Sequence, residues 1–117
     1  MNQLYIFTKP PYSTDSGKEQ LDMALAAASF DQSVGLLFVG EGVWQLIDDQ
    51  HPKLVGQKEY TRLFNGLDLY DIEHLYVYHK SLTHYGLLPE QLLRKVEILN
   101  DAEYKNLIER SSQVFSL

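Results

Sequence analysis

Val34-Gly35-Leu36-Leu37-Phe38-Val39 is an almost unbroken apolar run of strand length, followed at once by Gly40-Glu41-Gly42. A half-exposed strand alternates apolar and polar residues. A run without alternation belongs to a strand covered on both faces, as in parallel sheets flanked by helices. Towards the N-terminus, Leu4 to Phe7 is a shorter apolar run, ended by Thr8-Lys9-Pro10-Pro11-Tyr12, where proline lacks the donor a central ladder needs. Between the two runs, Ser16 and Glu19 form a capping-box pattern. Leu21, Ala24, Leu25 and Ala28 then supply the i, i+3, i+4, i+7 stripe of a helix.

Past the glycines, Val43 to Ile47 reads as a single helical turn and residues 48–56 as a polar loop. Tyr60, Leu63, Phe64 and Leu67 mark a second amphipathic helix. Leu75 to Tyr78 is a buried strand, leaving into a short helix or turn that Gly86 closes. Val96 to Leu99 is a further strand. Asn100 and Glu103 cap the helix after it, whose Tyr104, Leu107 and Ile108 face inward. Val114 to Leu117 makes a last short strand. This alternation predicts an α/β fold, a three-layer sandwich around a mainly parallel sheet of about five strands joined by right-handed crossovers. At 117 residues the chain is expected to form one domain over 1–117.

Composition narrows the function classes. Apolar residues make up 44% and charged residues 22%, ordinary for a soluble globular protein, and no run approaches the ~18 apolar residues of a membrane span. Met1 to Phe7 has no basic leader and no small-residue cleavage site, so no signal peptide is expected and the cytoplasm is the expected compartment. The absence of cysteine excludes disulfides, thiolate metal sites and a thiol nucleophile carried by this chain. Sixteen acidic residues against ten basic ones leave a net charge of −6, which disfavours direct binding to a phosphate backbone. Arg94-Lys95 is the one adjacent Lys/Arg pair.

Each candidate for chemistry has a plainer competitor. Gly40-Glu41-Gly42 follows a strand as a dinucleotide fingerprint does. Position 45 is Gln where the third glycine belongs, and Glu41 would set a carboxylate where a pyrophosphate sits, so a turn needing positive φ is the expected reason for the glycines. His51, His74, His79 and His84 lack metal-ligand spacing, so no metal or other cofactor is expected. Ser81 and His84 are three apart and could meet on one helical turn, without the elbow, acid or oxyanion hole of a hydrolase. The aromatic residues stand out more: eight Tyr, five Phe and one Trp, with Tyr12, Trp44, Tyr70, Tyr78 and Tyr85 at loops or strand ends. Large amphipathic rings there suit interface anchors. Tyr76-Val77-Tyr78 places both tyrosines on one strand face and Val77 on the other.

The order of these pieces resembles a known family. Ser13 to Asp22 in the loop and helix after the first strand, Gly40-Glu41-Gly42-Val43-Trp44-Gln45-Leu46, and Leu69-Tyr70-Asp71-Ile72-Glu73 before the third strand are similar to TusC, or DsrF-like, subunits of the DsrE/DsrF/DsrH sulfur relay complexes. The similarity spans essentially the whole chain and rests on order and spacing. It implies a cytoplasmic heterohexamer with TusB-like and TusD-like subunits. That complex would take persulfide sulfur from a TusA-like carrier and pass it towards a TusE-like carrier for 2-thiouridine at the tRNA wobble position. In that family the TusD-type subunit holds a working cysteine at the end of the third strand. The matching position here is Tyr78, with Gly86 closing the helix beyond.

A phenol cannot hold a persulfide, so the resemblance implies a non-catalytic subunit, with Trp44, Tyr70, Tyr76 and Tyr78 as interface candidates. It implies no direct nucleic-acid contact and no membrane. The alternatives are a DsrEFH-type sulfur oxidation subunit, a small hydrolase using Ser81 with His84 or His79, and a homo-oligomeric ligand-binding module lined by Thr8, Tyr12 and Tyr78.

Overall fold

The strand spelled out by the opening apolar run, β2 (Val34–Phe38), is buried at all its positions. It lies at the centre of a five-stranded sheet of order β4-β3-β2-β1-β5. The computed structural model describes residues 2–9, 16–30, 33–47, 74–92 and 96–116, with residues 16–19 and 21 in backbone only. Its elements are β1 (Gln3–Phe7), α1 (Ser16–Ala28), β2, a 3-10 helix (Gly40–Leu46), β3 (His74–Tyr78), α2 (His79–His84), a 3-10 turn (Pro89–Gln91), β4 (Val96–Leu99), α3 (Asp101–Arg110) and β5 (Gln113–Ser116). Every pairing is parallel, so all five carboxyl ends emerge on one edge.

Two apolar layers sandwich this sheet. Tyr5, Phe7, Val34, Leu36, Phe38, Leu75 and Val77 face one side and pack under Ala24 and Ala28 of α1, Val43 and Leu46 of the 3-10 helix, and Leu82 of α2. Leu4, Leu37, Tyr76 and Leu99 face the other side and meet Leu107 of α3, with Tyr104 and Ile108 against them. The alternation along β3 is as expected, with Tyr76 in one layer and Val77 in the other. Each large side chain removed from water in these layers contributes about 1.5–3 kcal/mol. The alanines of α1 let it lie close over β1 and β2.

Caps agree with the sequence at two of three helix ends where they were expected. Asn100 accepts from the Glu103 N–H at 2.8 Å while Glu103 accepts from the Asn100 N–H at 2.9 Å, which closes the capping box of α3. Gly86, at φ +65, ends α2. The Leu87 N–H reaches back to Leu82 O at 2.9 Å and the Gly86 N–H to Thr83 O at 3.2 Å, the paired bonds of a Schellman stop. The Ser16 and Glu19 side chains, and Leu21 of the same helix, are outside the description, as are Tyr70 and the helix expected around Tyr60, Leu63, Phe64 and Leu67.

Three expectations need correction. The turn expected over Val43 to Ile47 begins at Gly40 and is a 3-10 helix; Ile47 has left it to form an antiparallel bridge with Leu92. The last strand begins at Gln113, one residue earlier than expected. Only one glycine of the Gly40-Glu41-Gly42 turn has a positive φ. Gly40 sits at φ +54 with open space around it, whereas Gly42 has no such conformation and no room: a Cβ there would overlap the Phe7 carbonyl. Gly42 is required by close packing of two backbones.

These two glycines separate by mutation. Gly40→Ala is expected to cost about 1 kcal/mol, the strain of a left-handed alanine. Gly42→Ala must push β1 and the 3-10 helix apart and is expected to cost about 3 kcal/mol or more, at the upper end of overpacking. Urea unfolding of both variants checks the order; equal losses would show that the Phe7 backbone yields freely.

Candidate functional site

The carboxyl edge of the sheet collects the segments that follow β1, β2, β3 and β4, and it is stitched together by named bonds. Gln45 of the 3-10 helix is buried and donates to the Lys9 carbonyl at 3.0 Å. Gln20 of α1, also buried, donates from Nε2 to Ile6 O at 2.7 Å and to Phe115 O at 3.2 Å, bridging β1 and β5. Strand order reverses between β1 and β5, the position where open α/β sheets usually receive a ligand. Here an amide from α1 occupies the ends of both strands. Ser81, buried on α2, accepts from the Gly40 N–H at 2.9 Å.

The positions of Ser81 and the histidines bear on the hydrolase alternative. The Ser81 hydroxyl is engaged with the β2 turn and does not meet His84, whose ring stands exposed and edge-on to Tyr85 at 4.7 Å. A serine nucleophile needs a base in hydrogen-bond reach; the Ser81 oxygen accepts from a backbone amide, while His79 lies against Asp101 and His84 against Tyr85.

Tyr78, His79 and Lys80, where β3 passes into α2, converge instead on one carboxylate. Asp101 Oδ1 accepts from the Tyr78 phenol at 2.6 Å and lies 3.1 Å from His79 Nε2. Asp101 Oδ2 lies 3.2 Å from Lys80 Nζ. The Tyr78 ring stacks on Tyr104 of α3, centroids 4.2 Å apart, and His79 meets Tyr78 edge-on at 5.3 Å. Register explains the meeting: Tyr78 pairs with Leu99, so the chain two residues beyond Leu99 starts α3 beside it. Asp101 also stands in the first turn of that helix, where a negative charge is favoured.

The electrostatics follow from these contacts. Hydrogen bonds from Tyr78, then His79, then Lys80 hold the Asp101 carboxyl down at about 2. The same Asp101 bond holds the Tyr78 phenol above its ordinary value, since ionising the phenol would remove the donated proton; loss of solvent and the nearby negative charge add to this. Lys80 is likewise raised, chiefly by its bond to Asp101. The outcome is a protonated phenol, a paired ammonium and an ionised carboxylate, a fixed polar corner with no group poised to attack. The chain carries no thiol to add one. Among the described residues no group of three or more His, Asp or Glu is placed to hold a metal ion.

The other sequence candidates distribute unevenly. Trp44 is half-buried on the 3-10 helix that follows β2, edge-on to Tyr85 at 5.7 Å. Tyr76 is buried, 4% exposed, in the layer under α3. Tyr70 and Tyr12 lie outside the described residues. Asp101, Lys80 and Tyr104 were not singled out by sequence reasoning. The signal lay in the parallel register, which a strand list alone does not provide.

Comparison with known proteins shows the family and the fold. The DsrE/DsrF-like family pattern matches residues 1–117. "Protein TusC homolog" of Vibrio vulnificus (strain CMCP6) is 39% identical over 117 residues, covering 99% of each chain. The protein of that name from Pseudomonas aeruginosa is 39% identical over 114 residues, covering 97% of this chain and 96% of its own. The Haemophilus influenzae protein of that name is 30% identical over 118 residues. Among solved structures, the ychN protein from E. coli superposes with a TM-score of 0.83 over 100% of this chain and 99% of its own, at 16% identity, a likeness of fold.

Asp101→Asn is expected to lower the denaturation midpoint at pH 6 and to release the Tyr78 phenol towards its ordinary pKa. A carboxyl depressed in the folded state stabilises above its unfolded value near 3.8 and loses that contribution as pH falls towards about 2. The gap between wild type and variant should therefore be full above pH 5 and close between pH 4 and 2. A pH-independent gap would show that the asparagine acts by misfitting and not by lost charge.

Proposed function

The chain belongs to the DsrE/DsrF-like family, and from that premise we propose that it is a non-catalytic subunit of a TusBCD-type sulfur relay complex. In that reading it assembles with TusB-like and TusD-like subunits into a cytoplasmic heterohexamer. Persulfide sulfur enters from a TusA-like carrier and leaves to a TusE-like carrier, for 2-thiouridine at the tRNA wobble position.

The observation that carries the reading is Tyr78. Sulfur transfer of this kind needs a thiolate that attacks the terminal sulfur of a persulfide, forming one S–S bond while the donor thiolate leaves with the electrons of the other. At the end of β3 this chain offers a phenol hydrogen-bonded to Asp101, and it has no cysteine elsewhere. Sulfur must then travel on a partner's thiol, and this chain's contribution is a rigid surface that positions it. The pinned carboxyl edge supports such a role: Ser81 fixes α2 to the β2 turn and Asp101 fixes its start to α3. A net charge of −6 supports delivery to RNA through another protein. Trp44 and Tyr78 are the proposed contact residues, being aromatic and incompletely buried on that edge. No described helix is long and apolar enough to cross a membrane.

Co-expression of the tagged chain with its cysteine-bearing relatives tests the proposal. The wild-type chain should retain them through purification, and Trp44→Ala should lose them by at least about tenfold, the effect of one interface anchor. The variant's far-UV circular dichroism should stay native, because Trp44 is only half-buried. A Trp44→Ala chain that assembles normally removes that residue from the interface; a wild-type chain that captures no such relative removes the subunit role.

A further inference from the structure

The 3-10 helix after β2 sends most of its side chains inward. Val43, Gln45 and Leu46 are buried, and Gly42 packs by its backbone against Phe7. Glu41 is exposed and Trp44 half-buried, and no other side chain of this helix reaches the surface. The two stand three residues apart. With three residues per turn, side chains at i and i+3 of a 3-10 helix eclipse, so Glu41 and Trp44 leave the helix along one line. Tyr85, half-buried at the end of α2, meets Trp44 edge-on at 5.7 Å and widens the aromatic surface. The ion pairs among the described residues join His79 and Lys80 to Asp101 and Lys105 to Glu109; Glu41 takes part in none of them.

An aromatic face in line with a carboxylate is the chemistry that receives a cation. The ring attracts the charge through its quadrupole, and the carboxylate pairs with it. A guanidinium suits both at once, being planar, able to stack on a ring and able to pair with a carboxylate through two N–H groups. We propose that Glu41 and Trp44 together receive an arginine side chain of a partner subunit. The inference rests on the subunit reading above and names what the partner presents to this edge. Charge selects the occupant. The chain carries −6, so a partner surface docking here gains by bringing a positive group. A purely apolar anchor over Trp44 would desolvate Glu41 with nothing to pair it. An acidic segment would meet Glu41 as a like charge.

Charge reversal separates a local pair from the total charge. Glu41→Lys and Glu109→Lys change the net charge equally, both sites are exposed, and Glu109 lies on α3 at the opposite face of the sheet. With the cysteine-bearing relatives co-expressed and captured at low salt, Glu41→Lys should reduce their recovery by about tenfold or more, since it sets two cations together. Glu109→Lys should leave recovery near wild type. Glu41→Gln should cost roughly threefold, a loss that shrinks as NaCl is raised. Trp44→Phe should retain more of the relatives than Trp44→Leu, because it keeps a ring face for the cation. Equal recovery with Glu41→Lys and Glu109→Lys overturns the inference while leaving the subunit role standing. So does a Trp44→Leu chain that captures as well as Trp44→Phe. A wild-type chain that captures no relative removes the subunit role, and this inference with it.

Discussion

Gly42 lies so close to the Phe7 carbonyl that a methyl group would overlap it, and the route of the chain over the whole carboxyl edge depends on that approach. It lets the 3-10 helix turn back across the end of β1 immediately after β2. Val43 and Leu46 then enter the core, Gln45 reaches the Lys9 carbonyl, and Trp44 is left half-buried at the rim. Gly40 makes the turn possible with its positive φ and offers its N–H to Ser81. Through that bond the position of α2 is tied to the position of β2. An edge assembled this way has little freedom to rearrange, which suits a surface that holds another molecule in register.

The corner beyond β3 works by the same economy with charge in place of packing. One exposed carboxylate gathers a phenol, an imidazole and an ammonium from three consecutive residues. Exposed ion pairs contribute little individually, so the corner's importance is geometric: it fixes where β3 ends, how α2 starts, and which face of Tyr78 remains available. A thiolate at this point would need a neighbouring positive charge and open access. Tyr78 has its hydroxyl committed to Asp101 and its ring stacked on Tyr104, so the phenol is held in place by its own chain.

Much of this fold was legible in the residues. The uninterrupted Val34 to Val39 run forced a doubly covered strand, and the strand now sits at the sheet centre with no exposed position. Asn100 with Glu103, and Gly86 after α2, announced their caps because capping is local chemistry. What stayed hidden was whatever depends on two segments meeting. Gly42 looked like a turn glycine, and only its distance from Phe7 reveals a packing glycine. Ser81 with His84 suggested chemistry by sequence spacing, while the hydroxyl turned to a backbone amide 41 residues away. Asp101 carries no local signal, and its three donors come from another strand's end. Tyr76 shares a strand face with Tyr78 but is buried beside Leu107 of α3, a cover that no pattern within the strand reveals.

Native mass spectrometry of the tagged chain purified from its own host tests the central claim most directly. The account predicts a complex near the mass of six small subunits that contains a cysteine-bearing relative alongside this chain. A monomer, or an assembly made of this chain alone, would contradict the subunit role while leaving the fold and its pinned carboxyl edge intact.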